Sequence, residues 1–327
     1  LSELEDPVTT LLRLITARIW VTKDNGSRAS ILATKEAYDR ELLKEHDAQI
    51  TLALDSSQDQ KLELAGRLRR RYMIFRCNTY SVDKAAPGAD AGKVMRDKVT
   101  AQINAIIREN RTLPYQTIYN FYGLGYPSGD PHKAFAVGAA SELAPSNAAW
   151  AELTNEEYQS IWSSDDVRFS KSHSIDSEYA MMLFRFKLGA REQCVNKLML
   201  SFEGYGSAPS GNGVTIKVWN HVSSAWQEAR SGTSGEDETL TITISSSWTD
   251  FINSDGYVWL LAKTTNPSDG GTPAVLYCDF VQCTIQVYGI TYCDVVSYRN
   301  IDVTDVKPFL FRTEFLLKGW LFESISG

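Results

Sequence analysis

Gly213-Val-Thr-Ile-Lys-Val-Trp-Asn220 puts Val214, Ile216 and Val218 on one side of the chain and Thr215, Lys217 and Trp219 on the other. A two-residue period belongs to a half-buried β-strand, because successive side chains of an extended backbone leave on opposite faces. The alternation recurs in Leu198, Leu200 and Phe202, in Leu240, Ile242 and Ile244, in Val258, Leu260 and Ala262, and in Val281, Cys283, Ile285 and Val287. Between these runs lie 204–213, 231–235 and 266–273, rich in Gly, Ser, Asn and Pro, residues that permit tight turns and positive φ. Many short strands punctuated in this way over 175–288 predict an antiparallel β-sandwich of jelly-roll type.

A chain of 327 residues exceeds one such sandwich, which takes on the order of 100–150 residues, so a second domain is expected. Hydrophobic residues make up 43% and charged residues 22%, the balance of a chain with a real core. The net charge of −7 argues against a general nucleic-acid binder, whose phosphate contacts require clustered Lys and Arg, and no sequence-specific nucleic-acid partner is expected. One local exception is Arg67, Arg69, Arg70, Arg71 and Arg76. Its ordinary reading is a rim strand kept soluble by charge, and its sharper reading is an inter-subunit or DNA-facing patch centred on Arg69, Arg70 and Arg71. Five cysteines without a C-x-x-C pair signal neither zinc nor a complete disulfide framework, and read as buried thiols. No stretch approaches the ~20 apolar residues that span a bilayer, so membrane insertion is not expected. No cationic leader with an apolar stretch opens the sequence.

Before the sandwich the period changes. Asp6-Pro7 can cap and start a helix, and Val8, Leu11, Leu12 and Ile15 follow on one face. A helical segment is expected within 35–45, strands at 49–54 and 69–80, and a polar excursion at 56–66. A second helix over 91–109 carries Val99, Ile103, Ile106 and Ile107, with Asp90 as its cap and Asn110 ending it. Residues 126–159, rich in Pro, Gly, Ala and Ser, read as an irregular connection packed by aromatics, with a helical turn expected within 152–161. Residues 294–307 read as a polar connection. In 309–322 Phe309, Phe311, Phe315 and Leu317 share one face of a strong strand. Residues 1–110 supply two amphipathic helices but only two convincing strands, and a lone two-stranded sheet is marginal. The 309–322 strand is therefore expected to return beside 69–80. The predicted fold class is an α+β domain plus an all-β domain: a jelly-roll-like antiparallel sandwich (160–295) inserted before the last strand of a small α+β domain (1–125, completed by 300–327).

No catalytic fingerprint is present. The four histidines lack metal-ligand or triad spacing, and the acidic pairs Glu156/Glu157, Asp165/Asp166 and Glu236-Asp-Glu238 are what any chain with 40 acidic residues contains. The chain is read as a non-enzyme. A structural calcium is the one cofactor weighed, at Asp165, Asp166 and Asp279, which flank the first and last sandwich strands. The alternative is solvated loop acids. Trp219, Trp259 and Tyr257 are the candidate glycan-binding residues, since the two tryptophans lie opposite the aliphatic face and an exposed ring offers a flat surface to a sugar. Core or interface packing is the commoner use of such rings.

Two resemblances add to this reading. Tyr179-Ala-Met-Met-Leu-Phe-Arg-Phe-Lys187, Leu200-Ser-Phe-Glu-Gly-Tyr-Gly206, Val214-Thr-Ile-Lys-Val-Trp-Asn220 and Tyr257-Val-Trp-Leu-Leu-Ala262 resemble the carbohydrate-binding-module-like jelly rolls of surface proteins and virions. The helix at 7–18, the strand at 69–80, the helix at 94–109 ending in Arg108-Glu-Asn-Arg-Thr112, and Arg312-Thr-Glu-Phe-Leu-Leu-Lys-Gly-Trp-Leu-Phe322 resemble small tail-completion or neck proteins of tailed bacterial and archaeal viruses. The sandwich is a departure from that family. The second resemblance implies a virion protein at the head–tail junction or the top of the tail, its sandwich displayed outward for decoration or weak glycan binding. It would form a homo-oligomeric ring, a hexamer, with neighbouring neck, tail or portal proteins and surface glycans as partners. A secreted or cell-surface carbohydrate-binding protein is the alternative.

Overall fold

The computed structural model describes residues 3–35, 37–63, 68–84, 88, 90–125, 131–305 and 307–324. The chain divides into two compact units, Glu3–Thr117 with Val287–Gly327, and Ile118–Gln286. Antiparallel pairing dominates both, and no helix among the described residues is long and apolar enough to cross a membrane.

The first unit opens with α1 (Pro7–Arg18), whose start is fixed by the Thr9 amide donating to the Asp6 carboxylate at 3.1 Å. Then come β1 (Ile31–Thr34), α2 (Leu42–Glu45), β2 (Ala48–Lys61), β3 (Leu68–Val82) and α3 (Gly92–Glu109). The helix expected within 35–45 is thus one turn. Asp90 does not cap α3. Its carboxylate instead accepts from the Asp24 amide and from Lys98, and Asp83 takes the Gly92 amide at 2.8 Å. The polar excursion at 56–66 is, through Lys61, a continuation of β2. From Ala53 onward this strand is exposed on both faces, so no alternation marked it.

β4 (Gln116–Tyr119) carries the chain into the second unit, which contributes β5 (Lys133–Ala139), β6 (Ala151–Glu152) and α4 (Asn155–Gln159). There follow β7 (Phe169–His173), β8 (Tyr179–Lys187), β9 (Val195–Ser207), β10 (Val214–Asn220) and β11 (Ala225–Gly232). The unit ends with β12 (Glu238–Ile244), β13 (Tyr257–Thr264) and β14 (Ala274–Val287). Two sheets result. One runs β11-β10-β13-β8-β5-β6, and the other β12-β9-β14-β4 with β7 also paired to β14. Ile216, Val218, Leu260, Met182, Phe184 and Phe186 are buried from the first sheet, and Leu198, Leu200, Phe202, Cys278, Val281 and Ile285 from the second. The Phe184 and Phe202 rings lie 6.1 Å apart, one joint of this sandwich core.

Two boundaries differ from the sequence reading. The 126–159 connection, so far as it is described, supplies the strands β5 and β6 ahead of α4, which is the helical turn expected within 152–161, while 126–130 lie outside the described residues. Its inward residues Ala134 and Ala136 are too small to stand out as a strand pattern against the surrounding Gly, Pro and Ser. The sandwich unit therefore spans Ile118–Gln286 rather than 160–295.

The chain returns to the first unit through β15 (Tyr292–Asn300) and β16 (Leu310–Ser324). β15 occupies part of the stretch read as a polar connection, because Ser297–Asn300 are exposed and gave no apolar alternation. β16 lies antiparallel to β3 from Leu310↔Val82 to Ser324↔Leu68, completing the order β1-β2-β3-β16-β15. Leu11, Leu14 and Ile15 of α1 and Val99, Ile103 and Ile107 of α3 share one core with Ile50, Leu52, Phe75, Phe315 and Leu317. The Val287 amide donates to the Tyr115 carbonyl at 3.2 Å, so the chain leaves and re-enters this unit side by side.

Candidate functional site

The outer face of the six-stranded sheet collects the three aromatic residues singled out from sequence. Strand alternation sends Lys217 and Trp219 of β10 and Tyr257, Trp259 and Lys263 of β13 to one side. Register then aligns them. Trp219 pairs with Trp226 of β11, Val218 pairs with Leu260 so that Trp219 falls beside Trp259, and Trp259 pairs with Arg185 of β8, itself paired with Lys133 of β5. The result is a row, Trp226-Trp219-Trp259-Arg185-Lys133, crossing five strands at one level. Adjacent strands sit ~4.8 Å apart, so the row is about 19 Å long.

The rings of the row are half-buried, accessible along one side and fixed along the other. Trp219 and Trp226 meet edge to face with centroids 5.1 Å apart, and Phe135 of β5 lies 6.4 Å from Trp259. The Arg185 guanidinium stands 4.9 Å from the Tyr257 centroid and 5.7 Å from that of Trp259, and the Lys187 ammonium 4.9 Å from Tyr257. One end of the face is closed. Leu143 and Trp150 pack over Val137, Met181 and Leu261, the Trp226 indole N–H donates to the Leu143 carbonyl at 3.0 Å, and Glu142 binds Lys217 and Lys263. These charges hold the Glu142 carboxyl below its ordinary range despite its burial. Trp259, Tyr257, Phe135 and Arg185 lie beyond this closed end and are each half-buried.

A second cluster lies on the β12-β9-β14-β4 sheet, where β7 pairs with β14. β7 pairs with β14 so that Phe169 opposes Cys278, which brings the turn before β7 against Asp279. Asp166, Asp237 and Asp279 place one carboxylate oxygen each within 4.8 Å of one another. Two of these were expected, and the third replaces Asp165. The Asp165 carboxylate is used locally by Ser163 and the Val167 amide, while its own amide donates to Asp279 at 3.4 Å. Asp237 belongs to the acidic 236–238 run, and only the β12–β9 register, with Glu238 opposite Gly204, places it here.

Charge in this cluster is unbalanced. Arg168 pairs with Asp166 at 3.0 Å and with Asp237 at 2.6 Å, leaving three carboxylates against one guanidinium. Asp279 is buried, which raises its pKa. The Asp165 and Asp166 amides oppose the rise, and the neighbouring Asp237 charge adds to it. The Asp237 Oδ1 atom is buried without a hydrogen-bond partner among the described residues. That orphaned acceptor, with the residual double negative charge and the exposed Asp166, fits a hard divalent cation with water completing its shell.

The remaining candidates sit elsewhere. Arg69 and Arg71 lie against Asp59, and Arg71 also against Glu323, so their charge is met within the chain. Arg70 projects from the opposite face of β3 and stacks on Tyr72 and Phe322. Among the acidic pairs, Glu157 closes a capping box with Thr154.

A family model described as "Uncharacterized protein, C-terminal domain" matches residues 132–287, just under half the chain. No curated protein matches the sequence. Among solved structures, a xylan-binding module CBM15 is 12% identical, with 52% of this chain and 97% of that one aligned at a TM-score of 0.29. The family 11 carbohydrate-binding module of the Clostridium thermocellum cellulosomal cellulase Lic26A-Cel5E is 9% identical, covering 53% and 88% at 0.22. A chain of Broad Bean Stain Virus is also 9% identical, covering 49% and 79% at 0.20. Scores this low carry no argument on fold or ligand.

Proposed function

We propose that the sandwich unit is a non-catalytic polysaccharide-binding module whose ligand lies across the outer face of the six-stranded sheet. The observation that carries this is the alignment of Trp219 and Trp259 at one level on adjacent strands, with Tyr257 and Phe135 beside them. A row of half-buried rings held by strand register suits a linear, repeating ligand with apolar C–H faces. Binding to immobilised plant and bacterial polysaccharides, followed by tryptophan fluorescence, tests it. Trp259→Ala is expected to weaken binding by about 1–2 kcal/mol without unfolding the unit. Full affinity in both Trp219→Ala and Trp259→Ala variants would remove the platform. Such a ligand implies work outside a cell or on a virion surface. The neck-ring reading has less to draw on, because Arg69 and Arg71, its candidate contacts, are already paired within the chain.

Within the same proposal, Asp166, Asp237 and Asp279 hold a structural calcium ion. The sign follows from Asp279. A carboxyl with a raised folded-state pKa costs stability once ionised, and the cost appears as pH rises through that value. Without a divalent cation, the wild type is therefore expected to lose stability relative to Asp279→Asn over that rise. Millimolar calcium should reverse the order, since an ion bound only by the folded state stabilises it by mass action. Equal melting temperatures with calcium and with a chelator at neutral pH would sink the assignment.

A further inference from the structure

The outer face of the six-stranded sheet carries five cations, and they are not treated alike. Lys133 is paired with Glu152 at 2.7 Å, and Lys217 and Lys263 share Glu142. Arg185 and Lys187 have no carboxylate partner among the described residues. The Arg185 Nε–H donates to the Pro131 carbonyl at 2.9 Å, and the Lys187 ammonium donates to the Asp255 carbonyl. In a chain of net charge −7, with acids at hand for the other three cations, these two lack a carboxylate partner among the described residues and stand beside the half-buried rings. Their rigidity is set by the fold. Lys187 is opposite Tyr257 and Arg185 opposite Trp259 in the β13–β8 register, so each cation leans on a ring instead of extending into solvent.

We infer that the ligand of this face is an anionic polysaccharide, one whose repeating unit carries carboxylate or sulfate groups, with Arg185 and Lys187 meeting the charge and Trp259 and Tyr257 meeting the ring faces. This inference rests on the glycan-binding reading and narrows it. A neutral glycan would leave two positive charges partly desolvated under the ligand with no counter-charge, a cost that an acidic sugar removes. The Arg185 guanidinium, planar and stacked, can present its two terminal amino groups as a fork to a carboxylate or sulfate.

The test uses the full chain and matched polymers: polygalacturonate and alginate for carboxylates, dextran sulfate for sulfates, and the fully methyl-esterified polygalacturonate as a neutral counterpart of the same backbone. The expected result is binding at least about tenfold tighter to one of the acidic polymers than to the neutral ester at low salt, with the ratio falling as ionic strength rises. In an Arg185→Gln, Lys187→Gln double variant that keeps its melting profile, the ratio should collapse toward one. Preference for carboxylate over sulfate, or the reverse, identifies the acidic group. Equal binding of ester and acid overturns the inference while leaving the glycan platform standing. So does a preference that survives the double variant. Binding of duplex DNA as tight as that of the best polysaccharide would show a general polyanion surface and overturn it. Failure to bind any polymer, neutral or acidic, removes the platform and the inference together.

Discussion

Residues 3–117 produced alone will not fold, and joining them through a short linker to 287–324 will restore a cooperative unit. The reason is the place of β16 in the sheet. It lies between β3 and β15, so a chain that stops at 117 loses both β15 and β16 and leaves one edge of β3 unpaired along its whole length. Phe311, Phe315, Leu317 and Leu321 would leave the core with β16. Each is worth about 1.5–3 kcal/mol of burial, and together they rival the ~5–15 kcal/mol by which a whole domain is stable. The linker can be short because the chain departs and returns through neighbouring backbone, with Val287 bonded to Tyr115. Circular dichroism and urea titration of the two polypeptides decide it. A folded, soluble 3–117 would show that the helices find enough sheet in β1, β2 and β3.

What the sequence disclosed follows burial. Strands with one buried and one wet face announced themselves, as at Val214, Ile216 and Val218, and so did helices with one apolar stripe, as at Val99, Ile103 and Ile107. Elements whose two faces see the same surroundings stayed hidden. The outer half of β2 is exposed on both sides, and β5 buries alanines that carry little pattern. The candidate face was legible in part for the same reason. Trp219, Trp259 and Tyr257 stood out as rings opposite an aliphatic face. Phe135 lay in a stretch that read as irregular, and nothing local marked Arg185 and Lys187 as the cations without acids, since that depends on which strand lies beside which. Asp237 is the plainest instance. It sits 71 positions from Asp166 and 42 from Asp279, and only strand pairing brings the three together.

Gly204→Ala is expected to unfold the sandwich unit or cost it about 4 kcal/mol or more, a loss well beyond ordinary single substitutions. Gly204 has φ +153°, and a Cβ there would meet the Tyr277 carbonyl oxygen at 2.1 Å, a backbone atom that cannot swing aside. Relief requires β9 and β14 to separate at Gly204 and Tyr277. The acidic cluster is built on that approach: Gly204 opposes Glu238, next to Asp237, while Tyr277 precedes Asp279 by two residues. Any population of the variant that stays folded should therefore lose its melting response to calcium as well. Gly211→Ala separates the two possible causes. That glycine also has positive φ, +126°, but its added Cβ would find only the Asn266 side-chain nitrogen, at 3.6 Å. It bears conformational strain without the clash and should cost about 1–3 kcal/mol, with the calcium response intact. Equal losses in the two variants would mean that backbone strain, and not the close passage of β9 over β14, is what Gly204 relieves.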